Sequence, residues 1–259
     1  MLHKDQTSEI TTSSGADRVV VEEPLTLVVN GKHSVVLMRM PGYEKELALG
    51  FLKGEGIIRQ LDDVETISRC EEGGLDDANT IRLSLAESAA PEKLSRLAEV
   101  RSSCGVCGAE ILEKLAHEKP EFPADVFISR KLLASMPEEM RKRQPVFTET
   151  GGAHAAAIFH AGGGLIVCRE DIGRHNAFDK AIGHCILAGI ETGDKVAVLS
   201  GRVSYEMTLK AIRAPFPIVA AVSAPTSLAV ELAERAGITL ACFVRNGSLR
   251  VYTHGERIT

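Results

Sequence analysis

Apolar and polar positions change rhythm several times along this chain, and each change marks an element. Between Arg18 and Met40 two β-rich runs, VVVEEPLTLVVN and HSVVLMRM, flank Asn30 and Gly31. Asn-Gly favours the φ > 0 geometry of a tight turn, so the segment reads as a hairpin. Pro41 and Gly42 stop it. Tyr43 to Lys53 then sets Leu47, Leu49, Phe51 and Leu52 among charges in a helical pattern. Two further strands, Val64 to Cys70 and Thr80 to Leu85, follow around the turn-rich EEGGLDDAN. Pro91 to Val100 and Ala109 to His117 read as helices, and Ser129 is placed to cap a third, ISRKLLASMPEEM, with Pro145 ending this part.

Beyond Pro145 the two periods alternate. HAAAIF and LIVCRE are strands, His175 to Gly189 a helix, KVAVLS a strand, Tyr205 to Arg213 a helix, PIVAAV a strand, Ser227 to Gly237 a helix, and ITLACFVRNGSLRVYT a closing hairpin. Alternation of this kind predicts an α/β layered sheet. No internal repeat or long linker interrupts it. The break at Lys119 to Pro123 (KPEFP) is the better domain boundary, with the Pro145 region second.

Composition narrows the class. With 259 residues, 44% hydrophobic and 25% charged, the chain has the length for one large domain or two closely packed ones. A net charge of −5 argues against a duplex nucleic-acid binder, so any anionic ligand must be held by local donors. The opening MLHKDQTSEITTSSGAD is polar and lacks the apolar run of a secretory signal, and no stretch reaches the length of a membrane span. It reads as a frayed tail. Six scattered cysteines without an export signal point to a reducing cytoplasm rather than a disulfide framework.

The strongest chemical signal is Cys104-Gly105-Val106-Cys107, set between Ser102-Ser103 and the helical run that opens at Gly108. Spacing alone leaves three readings: half a zinc site, a redox dithiol, or thiol chemistry such as sulfur or acyl transfer. Zinc needs about four ligands, yet Cys70, Cys168, Cys185 and Cys242 lie far apart. A thioredoxin-like pair is expected at the end of an early strand, and here a helix-like segment precedes it. Cys168, Cys185 and Cys242 sit in apolar runs and read as small core residues. At a helix start the dipole favours a nearby thiolate, so Cys104, just outside the first turn, is the candidate nucleophile and Cys107 its helper.

Other clusters are weaker. Gly151 and Gly152 precede His154 in FTETGGAHAAA; a lone His before an apolar strand is more often structural than a ligand. Zinc deaminases use an HxE followed by PCxxC, but Ala156 stands where the Glu belongs and the CxxC comes before the His. The run REDIGRHNAFDK packs Arg169, Arg174, His175 and Lys180 among acids at a strand-to-helix junction, read either as a solvated helix start or as a ligand site. Ser200-Gly201-Arg202 and Ser223-Ala224-Pro225-Thr226 follow the next two strands in the same manner. Asn246-Gly247 makes an ordinary hairpin turn that needs no ligand. Neither a P-loop nor a GxGxxG after a strand is present.

Taken together, RSSCGVCG, FTETGGAHAA, EDIGRHNAFDK, GRVSYEM, SAPTSLAVELAE and GITLACFVRNGSLRVYT resemble the FdhD family, the formate dehydrogenase accessory sulfurtransferases. The likeness spans most of the chain. It implies a sulfur relay in which a persulfide from a cysteine desulfurase is carried on Cys104, assisted by Cys107, to the molybdenum or tungsten bis(molybdopterin guanine dinucleotide) cofactor of formate dehydrogenase. The family's cofactor-binding stretch falls on Phe243, Val244, Arg245, Asn246, Gly247 and Ser248, with Arg174 and Arg202 as further donors by strand-end position. With no second cysteine pair beside the CxxC, no metal site of the protein's own is expected. The resemblance also implies a homodimer with a cytidine-deaminase-like three-layer α/β fold. With the boundary read from KPEFP, the chain divides into a tail at 1–16, an α+β part with a mobile CxxC loop at 17–120 and a cofactor-binding α/β part at 121–259, packed as one unit. The alternatives are a non-catalytic cofactor carrier whose CxxC binds or senses metal and, last, a hydrolytic deaminase.

Overall fold

The computed structural model describes residues 6–69, 79–89, 120, 122 and 126–259. The helices expected at Pro91–Val100 and Ala109–His117, and Cys70, Cys104 and Cys107, lie outside the described residues. The chain divides into two units that interleave in sequence: Met1–Gly105 with Pro145–Ala153 and Asp171–Gly189, and Val106–Gln144 with His154–Glu170 and Ile190–Thr259. A single division at 120/121 does not describe them, because two segments of the second half cluster with the first.

In the first unit, strands β1 (Thr7–Thr12) and β2 (Gly15–Val20) form an antiparallel hairpin. The polar opening expected to be a frayed tail is therefore ordered from Gln6 onward. Its signal is faint because both faces stay wet, leaving no apolar alternation to read. Strands β3 (Glu23–Val29) and β4 (His33–Arg39) make the expected hairpin, with Asn30 at φ 52° and Gly31 at φ 65° in its turn. Strands β5 (Val64–Arg69) and β6 (Thr80–Leu85) extend it into a sheet of order β4-β3-β6-β5, with β3 and β6 parallel.

Helix α1 (Glu44–Gly54) buries Leu47, Leu49, Phe51 and Leu52 against Leu25, Leu27, Ile81 and Leu83 of that sheet. Each fully buried apolar side chain of this size stabilises by about 1.5–3 kcal/mol. Pro145, expected to terminate structure, instead opens the short helix α3 (Pro145–Thr150). Proline suits a first helical position, where its missing N–H has no partner to lose. Helix α4 (Arg174–Leu187) completes the unit.

The second unit is a mixed sheet of order β12-β11-β10-β9-β7-β8, built from β7 (His154–His160), β8 (Leu165–Asp171), β9 (Lys195–Leu199), β10 (Ile218–Ala221), β11 (Thr239–Arg245) and β12 (Ser248–Thr253). The run β9-β10-β11 is parallel; β7 and β12 run against their neighbours β9 and β11. Strands alternate sides every residue, so Ala155, Ala157, Val196, Val198, Ile218, Ala220 and Ala241 share a core with Leu133, Met136 and Met140 of α2 (Arg130–Arg141). Their sheet neighbours of opposite parity, from Ala156 to Cys242, are buried as well. Ser129 caps α2 by accepting a hydrogen bond from Leu132 N–H, as expected. Helices α5 (Tyr205–Arg213) and α6 (Ser227–Ala236) make the crossovers β9-α5-β10 and β10-α6-β11, and they pack on each other. Among the described residues no helix is long and apolar enough to cross a membrane.

Candidate functional site at the sheet end

Because β9, β10 and β11 are parallel, their C-terminal ends lie at one end of the sheet. The antiparallel partners β7 and β12 bring their first residues to the same end. This topology gathers His154, Ser200–Arg202, Ser223–Thr226 and Phe243–Ser248, four stretches spread over nearly a hundred positions. Ligands of open α/β sheets bind at such carboxyl ends. Hydrogen bonds lock the loops together: Ser200 N–H to Ala155 O (3.0 Å), Val203 N–H to Ala224 O (3.1 Å), Thr226 N–H to Val203 O (2.9 Å) and Phe243 N–H to Ser223 O (3.1 Å).

Two helix N-termini open at this end. Thr226 caps α6, accepting from Ala229 N–H at 3.3 Å. Ser204 is the N-cap of α5 yet makes no side-chain capping bond, and its buried Oγ has no hydrogen-bond partner among the described residues. The orphan N–H groups and positive dipole ends suit an anion. Arg202 adds an exposed cation after β9. In a chain of net charge −5 these are the local donors an anionic ligand requires.

His154 is half-buried and structural in its geometry. Its Nδ1 lies 3.3 Å from Ser200 Oγ, which also accepts from Ala155 N–H at 2.9 Å, so the pair ties β7 to the end of β9. Ala156, at the position of a deaminase Glu, is fully buried opposite Leu199. Among the described residues no three His, Cys, Asp or Glu side chains are arranged to hold a metal ion.

The stretch Phe243–Ser248 is not uniform. Val244 is fully buried in the core beside Ala241 and Leu249, so only its backbone is available to a ligand. Arg245, Asn246, Gly247 and Ser248 are exposed around the turn, with Asn246 at φ 52° and Gly247 at φ 72°. Phe243 is half-buried and left-handed at φ 53° in the middle of a strand. Sequence reasoning missed this, and it missed Arg250, whose guanidinium lies over the Phe243 ring at 5.1 Å. An aromatic inside an apolar run carries no signal of positive φ.

Arg174 is placed differently: it opens α4 in the first unit, with its Nε buried and without a partner among the described residues. Within REDIGRHNAFDK, Glu170, Asp171, Asp179 and Lys180 are buried, whereas Arg169, His175 and Asn176 are only partly so. Asp171 and Lys180 form a fully buried ion pair at 2.7 Å, so these two residues belong neither to a solvated helix start nor to a ligand site, the two readings the sequence offered.

Cys185 and Cys242 are buried, as expected, and Cys168 is partly buried against the second unit's core. Burial, reinforced by Glu170, pushes the Cys168 thiol up to about 12, and burial alone pushes Cys242 up to about 12. Cys185 is buried in α4. A thiol held protonated this strongly is a poor nucleophile.

The FdhD/NarQ family model matches residues 20–259. The sulfur carrier protein FdhD of Mycobacterium tuberculosis is 43% identical over 254 residues, covering 94% of this chain and 92% of that protein. That of Sulfolobus acidocaldarius is 44% identical over 247 residues, covering 95% and 93%, and that of Thermoplasma acidophilum 39% over 248 residues, covering 94% and 87%. The fold matches the crystal structure of a candidate formate dehydrogenase accessory protein from Desulfotalea psychrophila at TM-score 0.73 and 24% identity, with 98% of each chain covered. The chain belongs to the FdhD/NarQ family.

Proposed function

We propose that this protein is a sulfurtransferase that takes persulfide sulfur from a cysteine desulfurase on Cys104 and passes it to the molybdenum or tungsten bis(molybdopterin guanine dinucleotide) cofactor of formate dehydrogenase. The observation that carries the reading is the division among its thiols. Cys185 and Cys242 are buried and Cys168 is partly buried against the second unit's core with its thiol pushed up to about 12, which favours the CxxC as the place of sulfur chemistry in a family whose relatives are sulfur carrier proteins.

The chemistry balances as two exchanges. The Cys104 thiolate attacks the terminal sulfur of the donor persulfide; that S–S bond breaks, the donor cysteine leaves as thiolate, and Cys104 holds the new persulfide. Attack by the Cys107 thiolate on Cys104 Sγ then closes a disulfide and expels the terminal sulfur as hydrosulfide for the metal, the two thiols supplying the two electrons. A thiol reductant resets the pair. The substrate cofactor is polyanionic, and the sheet end offers it Arg245, Arg202, the exposed turn at Asn246–Ser248 and two helix N-termini. A cytidine-deaminase-type three-layer arrangement, a homodimer and a cytoplasmic setting belong to the same reading.

Incubation with a cysteine desulfurase and cysteine is expected to add one sulfur to the intact mass of the wild type and none to Cys104→Ala. Cys107→Ala is expected to load sulfur but to fall short in restoring formate dehydrogenase activity to a strain lacking this protein. An unloaded wild type sinks the proposal. Full complementation by a double Cys→Ser variant with stoichiometric bound zinc in the wild type would instead mark a non-catalytic carrier.

A further inference from the structure

Phe243 occupies a conformation its side chain disfavours. Cys242 pairs with Arg250 and Arg245 with Ser248, so Phe243 and Val244 together face the single residue Leu249, which makes a β-bulge. The bulge shifts the phase of β11: Ala241 and Val244, three positions apart, both point into the core shared with α2. Phe243 is the extra residue, at φ 53°. Glycine fills such a position without steric cost, whereas a non-glycine residue held there costs on the order of 1–3 kcal/mol.

On β12, Leu249 and Val251 join that core, so Ser248, Arg250 and Tyr252 point to the opposite face. Phe243 meets Arg250 on this face, with the guanidinium 5.1 Å from the ring centroid. The ring braces one side of the guanidinium, and Arg250 remains exposed. Ser223 O accepts the Phe243 N–H and holds the bulge to the end of β10. The result is an exposed cation seated over an aromatic ring, two residues from the turn that ends in Ser248.

We propose that Arg250, braced by Phe243, is the stacking platform for a guanine base of the dinucleotide cofactor, the base lying on the outward face of the guanidinium. This rests on the preceding assignment of Phe243–Ser248 to that cofactor and adds Arg250 to it. Guanidinium planes stack on π systems and an ammonium does not present such a plane. The phosphates fall to the turn amides, Arg245 and the helix N-termini.

The test measures binding of GDP and of inorganic pyrophosphate to the wild type, Arg250→Lys, Arg250→Ala and Phe243→Gly by calorimetry. Removing one base-stacking contact is expected to weaken GDP on the order of tenfold in all three variants, with pyrophosphate unchanged in Arg250→Lys. Phe243→Gly suits the backbone and is expected to keep a cooperative melt. GDP binding unchanged in Arg250→Lys and Phe243→Gly overturns the platform. Parallel loss of pyrophosphate in Arg250→Lys also overturns it, making Arg250 a phosphate donor. A wild type that binds neither probe sinks the underlying cofactor assignment instead, while sulfur loading on Cys104 is scored separately by mass.

Discussion

Lys180 and Asp171 are both fully buried, and each is satisfied beyond their 2.7 Å contact. Lys180 Nζ also donates to Met40 O at 2.8 Å, while Asp171 accepts from Met40 N–H, Gly173 N–H and Asn176 Nδ2. Burial presses the Lys180 ammonium below its ordinary pKa and Asp171 works against that shift. The pair fastens the end of β4 and the start of α4 within the first unit. Replacing Lys180 by Met leaves a carboxylate buried without its counter-charge, so Lys180→Met is expected to cost about 3–5 kcal/mol by urea denaturation. Lys180→Met with Asp171→Leu is expected to recover part of that; a single variant within about 0.5 kcal/mol of wild type would refute a structural role. Nothing in REDIGRHNAFDK distinguishes this use from a ligand site, because burial of a charge is decided by Met40, 140 positions away from Lys180. The same holds for Phe243, whose strain comes from the pairing of β11 with β12. By contrast, Cys168, Cys185 and Cys242 were legible as core or its margin because each sits in or at the end of an apolar run.

Between elements, α1 and α4 meet by the removal of side chains. A Cβ on Gly50 would lie 1.8 Å from Asp179 O, and one on Gly183 would lie 1.8 Å from Glu46 O. The glycines are reciprocal, each seated on the other helix's backbone, so neither carbonyl can yield without parting the helices. Helical glycine costs about 1 kcal/mol against alanine, but here alanine forces the helices apart. Gly183→Ala and Gly50→Ala are each expected to lower stability by about 1–3 kcal/mol or more, read as the urea midpoint. Gly162→Ala, with nothing within 4 Å, is the control and should be neutral; equal behaviour of all three would refute the close crossing. The helices themselves were legible from spacing and their contact was not. Alternation between Pro145 and the C-terminus was legible because sheet strands buried on both faces read as plain apolar runs. The β1–β2 hairpin and α3 escaped, the first for want of an apolar face and the second because a proline that can start a helix was read as a stop.

At the scale of the whole molecule, the two units carry opposite titration handles. In the first, burial opposes ionisation of Glu44, but the Gly42 N–H at 2.8 Å and the nearby Arg39 and Arg69 outweigh it and hold its pKa below the ordinary value. Asp63 is held low in the same manner by the Arg59 and Gln60 N–H groups and Ser88 Oγ. Carboxylates with a depressed folded pKa contribute stability that is complete above their unfolded values, about 4, and is lost as pH falls through the folded ones. In the second unit burial disfavours the His254 imidazolium, yet hydrogen bonds to Glu234 O (2.8 Å) and Glu256 Oε1 (3.1 Å), with the charges of both glutamates, raise its pKa. A raised folded pKa gives the opposite sign: the contribution is complete below about 6.5 and is lost as pH climbs through the folded value. Melting temperature against pH is therefore expected to fall on both flanks, below about 4 through Glu44 and Asp63 and above about 6.5 through His254. His254→Gln should flatten the alkaline flank and, by releasing Glu256, act weakly on the acid one, whereas Asp63→Asn should act on the acid flank alone. If His254→Gln leaves the alkaline decline as steep as in the wild type, the His254–Glu256 contact at the end of β12 is not what titrates there.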